Sequence, residues 1–161
     1  MENTNDFLRV VSNDLFILPC DGKEKLADAK DIFNKVTFRI SDKPSVPTTS
    51  TPIEVCTLVR DASFERMFTF LTKDLSRLCL TESQIVSFCR KYQRRMTFHV
   101  SATSFLLNKD EQKPFNPTNL VVAHIVHQDN KLLVYKHDFM DKGIWKTNGI
   151  KYQVVVPKIK R

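Results

Sequence analysis

Three of the four histidines, His124, His127 and His137, fall in VVAHIVHQDNKLLVYKHDF, residues 121–139. Converging imidazoles can bind a metal ion or move protons near neutral pH, so their spacing decides whether a site exists. The residues around them alternate as strands do, about Asp129-Asn130, a dipeptide suited to a two-residue turn. If Gln128 faces Lys131, the register pairs Val126 with Leu133, His124 with Tyr135 and Val122 with His137. His124 and His137 then become diagonal neighbours on one face, while His127 points to the other. A three-histidine metal site is excluded on that register. His124 and His137 remain weak metal candidates, needing a third ligand such as His99 or Asp141. Otherwise the pair packs around Tyr135, or makes with it a polar aromatic surface on which a base or partner side chain stacks.

Other reactive constellations are absent from the sequence. It holds no G-x-S-x-G, Walker, G-x-G-x-x-G or H-E-x-x-H pattern, and its carboxylates are scattered, so no catalytic residue is assigned and no cofactor is expected. Cys20, Cys56, Cys79 and Cys89 stand at wide spacings in apolar contexts, the pattern of buried free thiols in a reducing cytosol rather than of a zinc cluster. MENTNDFLRVV lacks the basic and apolar regions of a signal peptide, and no run approaches the roughly 18 apolar residues of a membrane span. A cytoplasmic protein without a membrane partner is the expectation.

Charge adds direction. The net charge is +7, with 11 Lys and Arg against 12 Asp and Glu in residues 1–80 and 14 against 6 in residues 81–161. Two basic stretches of the C-terminal half carry aromatic residues. RKYQRR holds Arg90, Lys91, Arg94 and Arg95, and a strand pairing across Asn148-Gly149 sets Trp145 opposite Tyr152 beside Lys142, Lys146 and Lys151. Cations among stacking rings fit nucleic acid, with PKIKR adding phosphate contacts. The same surface fits an acidic protein partner, and a plain solubilising charge is the bland reading. The expected function is therefore a non-enzymatic binding module for nucleic acid, using Arg90, Lys91, Arg94, Arg95, Tyr135, His137, Trp145, Lys146 and Lys151. A protein-interaction module for an acidic partner is the alternative, and an enzyme or metal protein using His124 and His137 is the third.

These side chains must be positioned by a chain whose length suits one domain, 1–161, or sub-lobes 1–40 and 52–161 joined by the Pro/Ser/Thr-rich loop 41–51. Residues 7–19 read as a hairpin turning at Asn13-Asp14. Apolar spacing predicts a helix over 23–35, with a strand at TFRI after it. Thr51, Pro52 and Glu54 spell a capping box for a second helix, Ser63 opens a third, and Thr81 with Gln84 caps a fourth that runs to about Arg95. From residue 97 the period becomes strand-like. The expected fold class is α+β, with an N-terminal β-hairpin, three or four helices in the middle and a C-terminal antiparallel meander of about four strands.

FLRVVSNDLFILPCDGKEKLADAKDIF, DLSRLCLTESQIVSFCRKY and YQVVVP, with Trp145 before it, together resemble a family of small uncharacterised proteins from candidate-phyla-radiation bacteria. The resemblance spans most of the chain and implies a cytoplasmic bacterial protein of one compact unit. The matching residues, Asp21-Gly22, Thr81, Gln84, Ile85, Phe88, Cys89 and Val154 to Pro157, are capping and core types, so it implies no activity. The chain departs from the family pattern at QRRMTFHVSA, where a Trp and a Gly-Tyr step are expected, and in its longer loop KDEQKPFNPTN.

Overall fold

The computed structural model describes residues 6–36, 38–99, 102–111, 113–129, 131–147 and 151–159, and of 95–99 the backbone alone. Runs rich in Val, Ile, Leu and Phe form strands β1 (Leu8–Ile17), β2 (Phe33–Val36), β3 (Thr51–Leu58), β4 (Ala102–Asn108), β5 (Leu120–Gln128), β6 (Lys131–Asp138) and β7 (Tyr152–Pro157). Among the described residues they make one seven-stranded sheet in the order β1-β3-β7-β4-β5-β6-β2. β4 with β7 and β2 with β6 run parallel, and the other neighbours are antiparallel. Two helices, α1 (Phe64–Leu71) and α2 (Glu82–His99), lie on opposite faces.

Strand alternation divides the core. On the α2 side Ile85, Val86, Phe88 and Cys89 pack with Ile53, Val55, Phe105, Ala123 and Val155. On the α1 side Phe64, Met67 and Phe68 pack with Cys56, Leu58, Leu106, Val122, Val154 and Val156. Thr81 and Gln84 form the expected capping box, each backbone N–H donating to the other's side-chain oxygen at 3.0 and 3.1 Å, respectively. Ser63 caps α1 by accepting from the Arg66 N–H at 3.3 Å.

The expected fold class is corrected: the chain is dominated by its sheet, with two α-helices among the described residues rather than three or four, and with β7 inserted between β3 and β4 rather than extending a four-strand meander. The N-terminal hairpin is one strand, because register shifts on either side of Ser12 absorb Asn13-Asp14 within β1. The helix expected over 23–35 is a 3₁₀ turn, Leu26–Asp28, followed by β2. β6 would otherwise present an open edge, and Phe33 and Val36 close it by pairing with Leu132 and Val134. The helix expected from Thr51 is β3. Ile53 and Val55 on one face and Cys56 and Leu58 on the other are all buried, which a strand between two covered faces achieves and a one-sided helix cannot. Thr51 Oγ1 accepts from Gln84 Nε2 at 3.0 Å instead of capping. The Asn148-Gly149 turn lies outside the described residues.

The loop 41–51 is stitched to the segment after β1. Cys20 and Thr48 exchange backbone hydrogen bonds of 3.0 and 2.9 Å, and the Ser45 N–H donates to the Gly22 carbonyl at 2.9 Å. Gly22 has φ +85°, and a Cβ there would collide with the Ser45 carbonyl oxygen. Gly22→Ala is therefore expected to cost about 2 kcal/mol or more in a denaturant titration, whereas Gly143→Ala, in an exposed loop at ordinary φ, should cost less than about 1 kcal/mol.

Candidate nucleic-acid interface

The β5–β6 turn positions the histidines as their spacing requires. Gln128 pairs with Lys131, Val126 with Leu133, His124 with Tyr135 and Val122 with His137, while Asp129 takes the positive φ, 52°, of a tight turn. His127 pairs with Leu132 on the α2 face. His124 and His137 share the α1 face, with ring centroids 5.5 Å apart.

They are not alone there. The Trp145 ring lies 4.5 Å from His124 and 5.5 Å from both His137 and Tyr152, and Phe64, the first residue of α1, lies 5.2 Å from Trp145. Trp145 is held by its backbone, which exchanges hydrogen bonds of 3.1 and 2.9 Å with Ala62. Two residues on, the Thr147 N–H donates to Asp61 at 2.8 Å, and this bond, the larger cause ahead of the Thr147 hydroxyl and Lys146, holds the carboxyl below the usual carboxylate range. Trp145 thus meets Tyr152 as a ring contact, while its strand partner is Ala62 rather than Tyr152.

His124 is 4 % exposed, and its Nδ1 shares a hydrogen bond of 2.8 Å with the Ser104 hydroxyl. Sequence reasoning missed both Ser104 and Phe64. Ser104 faces His124 directly across β4 and β5, so a β4–β5 register would have found it, whereas Phe64 comes from α1, distant in sequence. A serine hydroxyl on an imidazole has the composition of a nucleophile and its base. Ser104 is itself 4 % exposed, and Trp145 and Phe64 pack against the imidazole, so the bond serves to satisfy a buried ring. Burial, helped by the nearby His137, pushes the His124 pKa down to about 4. His137 is more open and stands 3.7 Å from Asp141. Among the described residues no three His, Cys, Asp or Glu side chains are arranged to hold a metal ion, and His99, named as a third ligand, lies outside the described side chains.

The remaining site residues divide between the two faces. Arg90, on α2, donates to both oxygens of Glu24 at 2.8 and 2.9 Å and to both of Asp31 at 3.0 Å, so two carboxylates already surround its charge. Lys91 sits 3.9 Å above the Phe16 ring of β1. Arg94 is exposed farther along α2, and the Arg95 side chain lies outside the described residues. Tyr135, His137, Trp145, Lys146 and Lys151 belong to the α1 face and its rim. There α1 packs against β1, and toward β6 the face opens: Val126, Leu133 and Tyr135 are all part-exposed. The Tyr135 side chain makes no ring contact or hydrogen bond with a described residue. Strand alternation sets Lys35 and Lys131 on the same face, and exposed Lys142, Lys146 and Lys151 flank Trp145 and Tyr152.

All four cysteines are free thiols, Cys56 and Cys89 buried and Cys20 and Cys79 part-exposed. Burial, with Glu111 and Asp74 adding to it, pushes the Cys79 thiol up to about 12, away from thiolate chemistry. No described helix is long and apolar enough to cross a membrane. Comparisons of the chain with protein-family models, curated proteins and solved structures found no match.

The depressed His124 pKa gives the site a pH signature. An unfolded histidine takes up its proton near pH 6.5, but the folded one only near 4, so stability is complete above pH 6.5 and falls as pH drops toward 4. His124→Gln is expected to remove about 3 kcal/mol of that loss, read as the difference between wild-type and variant denaturation curves at pH 7 and pH 4.

Proposed function

We propose that the protein is a non-enzymatic, cytoplasmic binding module that takes single-stranded nucleic acid across the open half of the α1 face. The observation that carries this reading is Tyr135, a part-exposed ring with no partner among the described residues, on a sheet face where Lys35 and Lys131 share its side. Unpaired bases stack on such rings at about 1–3 kcal/mol each, and the surrounding ammonium groups follow the phosphates. A single strand suits the surface better than a duplex, because its bases are free to lie flat on a sheet. His137 and Tyr152 extend the platform. Trp145, packed between His124 and Phe64, holds it rigid and reports on it, being the only tryptophan. Arg90 has no part in this reading, since Glu24 and Asp31 occupy it.

An acidic protein partner would use the same lysines, and the exposed Met140 and Ile144 in the segment leading to Trp145, 53 % and 54 % accessible, would suit an apolar contact. One titration separates the two. A single-stranded oligonucleotide should change Trp145 fluorescence with an affinity that falls with salt at a slope of about −0.7 per phosphate contacted. Tyr135→Ala should weaken binding roughly tenfold at unchanged salt slope, and Lys146→Glu with Lys151→Glu should reduce the slope. Binding of polyglutamate without the oligonucleotide would favour the protein partner, and absence of oligonucleotide binding at low salt would overturn the proposal.

A further inference from the structure

On the α2 face, at the Asn108 end of β4, lies a cleft of about 410 Å³ whose walls include Lys25, Ile40, Glu82, Leu107 and Lys109. Lys25 and Glu82 have side chains only 6 % and 5 % exposed, with Nζ 3.2 Å from one carboxylate oxygen. The other oxygen accepts the Leu26 N–H at 3.2 Å. Glu82 thus uses both oxygens, while Lys25 Nζ has this one ion-pair partner and no other acceptor among the described residues. Donors left over on a buried ammonium are costly, and buried ion pairs in general add little to stability over apolar residues of the same volume.

An adjoining hollow of about 330 Å³ shares Val46, Asn108 and Glu111 with the cleft, and on its wall Thr48 carries a buried hydroxyl oxygen with no hydrogen-bond partner. Two buried polar groups with spare capacity therefore line neighbouring hollows, Lys25 the cleft and Thr48 the hollow beside it. The carboxylates at the mouth are occupied, Asp110 by Lys113 at 3.6 Å and Glu111 by the Val46 N–H at 3.2 Å. Exposed Lys109 has no ion-pair partner among the described residues.

We propose that this cleft binds a small organic oxyanion, a carboxylate or a phosphate, whose oxygens accept from Lys25 Nζ while Ile40 and Leu107 receive its hydrocarbon part. The site is separate from the oligonucleotide surface, which occupies the opposite face of the sheet, and each proposal can fail without the other. Backbone amide spectra of the isotope-labelled full chain, titrated with inorganic phosphate, hexanoate and hexylamine, test it. At least one anion should produce saturable shifts at Leu26, Val46 and Leu107 that hexylamine does not, and which anion does so distinguishes a phosphate from a carboxylate ligand.

Lys25→Met combined with Glu82→Gln removes both buried charges yet keeps an acceptor for the Leu26 N–H, and should weaken anion binding roughly tenfold or more. Lys109→Glu, at the exposed mouth where folding is not at stake, should weaken it several-fold. Unsaturated or absent shifts at about 10 mM of both anions, an equal response to hexylamine, or unchanged affinity in both variants would overturn the assignment.

Discussion

Val154, Val155 and Val156 are consecutive and each is at most 1 % exposed. Neighbouring strand residues point to opposite faces, so β7 can exist only where both faces are covered. That requirement places it between β3 and β4 and sets α1 on one side and α2 on the other. The same demand converts residues 51–58 into a strand, since β7 needs a neighbour that is also buried on both faces. What lies at the sheet's edges follows from what is left over: β1, bulged and part-exposed, and the four-residue β2.

A sheet covered on both faces near β7 need not be covered everywhere. α1 has eight residues and lies toward β1, so the α1 face opens along β6 and at the Val126 end of β5. The aromatic cluster of Phe64, His124, Trp145 and Tyr152 marks that boundary. It closes the core on one side and presents Tyr135 and His137 on the other. On the α2 face a strap of residues 24–31 crosses the helix, fastened by Arg90 to Glu24 and Asp31 and by Glu82 to Lys25. Held below the usual carboxylate range by its bond to Arg90, Asp31 keeps this fastening charged. The basic C-terminal half therefore spends part of its charge on structure before any partner is met.

Legibility followed the range of the interaction. The β5–β6 register could be read because the turn and both strands are contiguous, and the Thr81–Gln84 capping box because its two bonds span three residues. An equally good box at Thr51 and Glu54 misled, since local capping of about 1 kcal/mol is small beside the burial of Ile53, Val55, Cys56 and Leu58. The helical spacing of Leu26, Ala29 and Phe33 misled similarly, as those residues do enter the core but from a 3₁₀ turn and a strand. Of the candidate site, the grouping of His124, Tyr135 and His137 was legible, while Ser104 and Phe64 join it from other elements.

By itself, then, the sequence determined the β5–β6 pairing, the separation of His127 from the other histidines, the caps of α1 and α2, and the excess of positive charge after residue 80. Only the tertiary structure decided which of those charges are neutralised, that Lys25 lies buried against Glu82, and that on one sheet face Tyr135 is part-exposed while its neighbour His124 is covered. The reason is physical. Alternation assigns side chains to one of two faces, but which part of a face is covered depends on where helices distant in sequence come to rest.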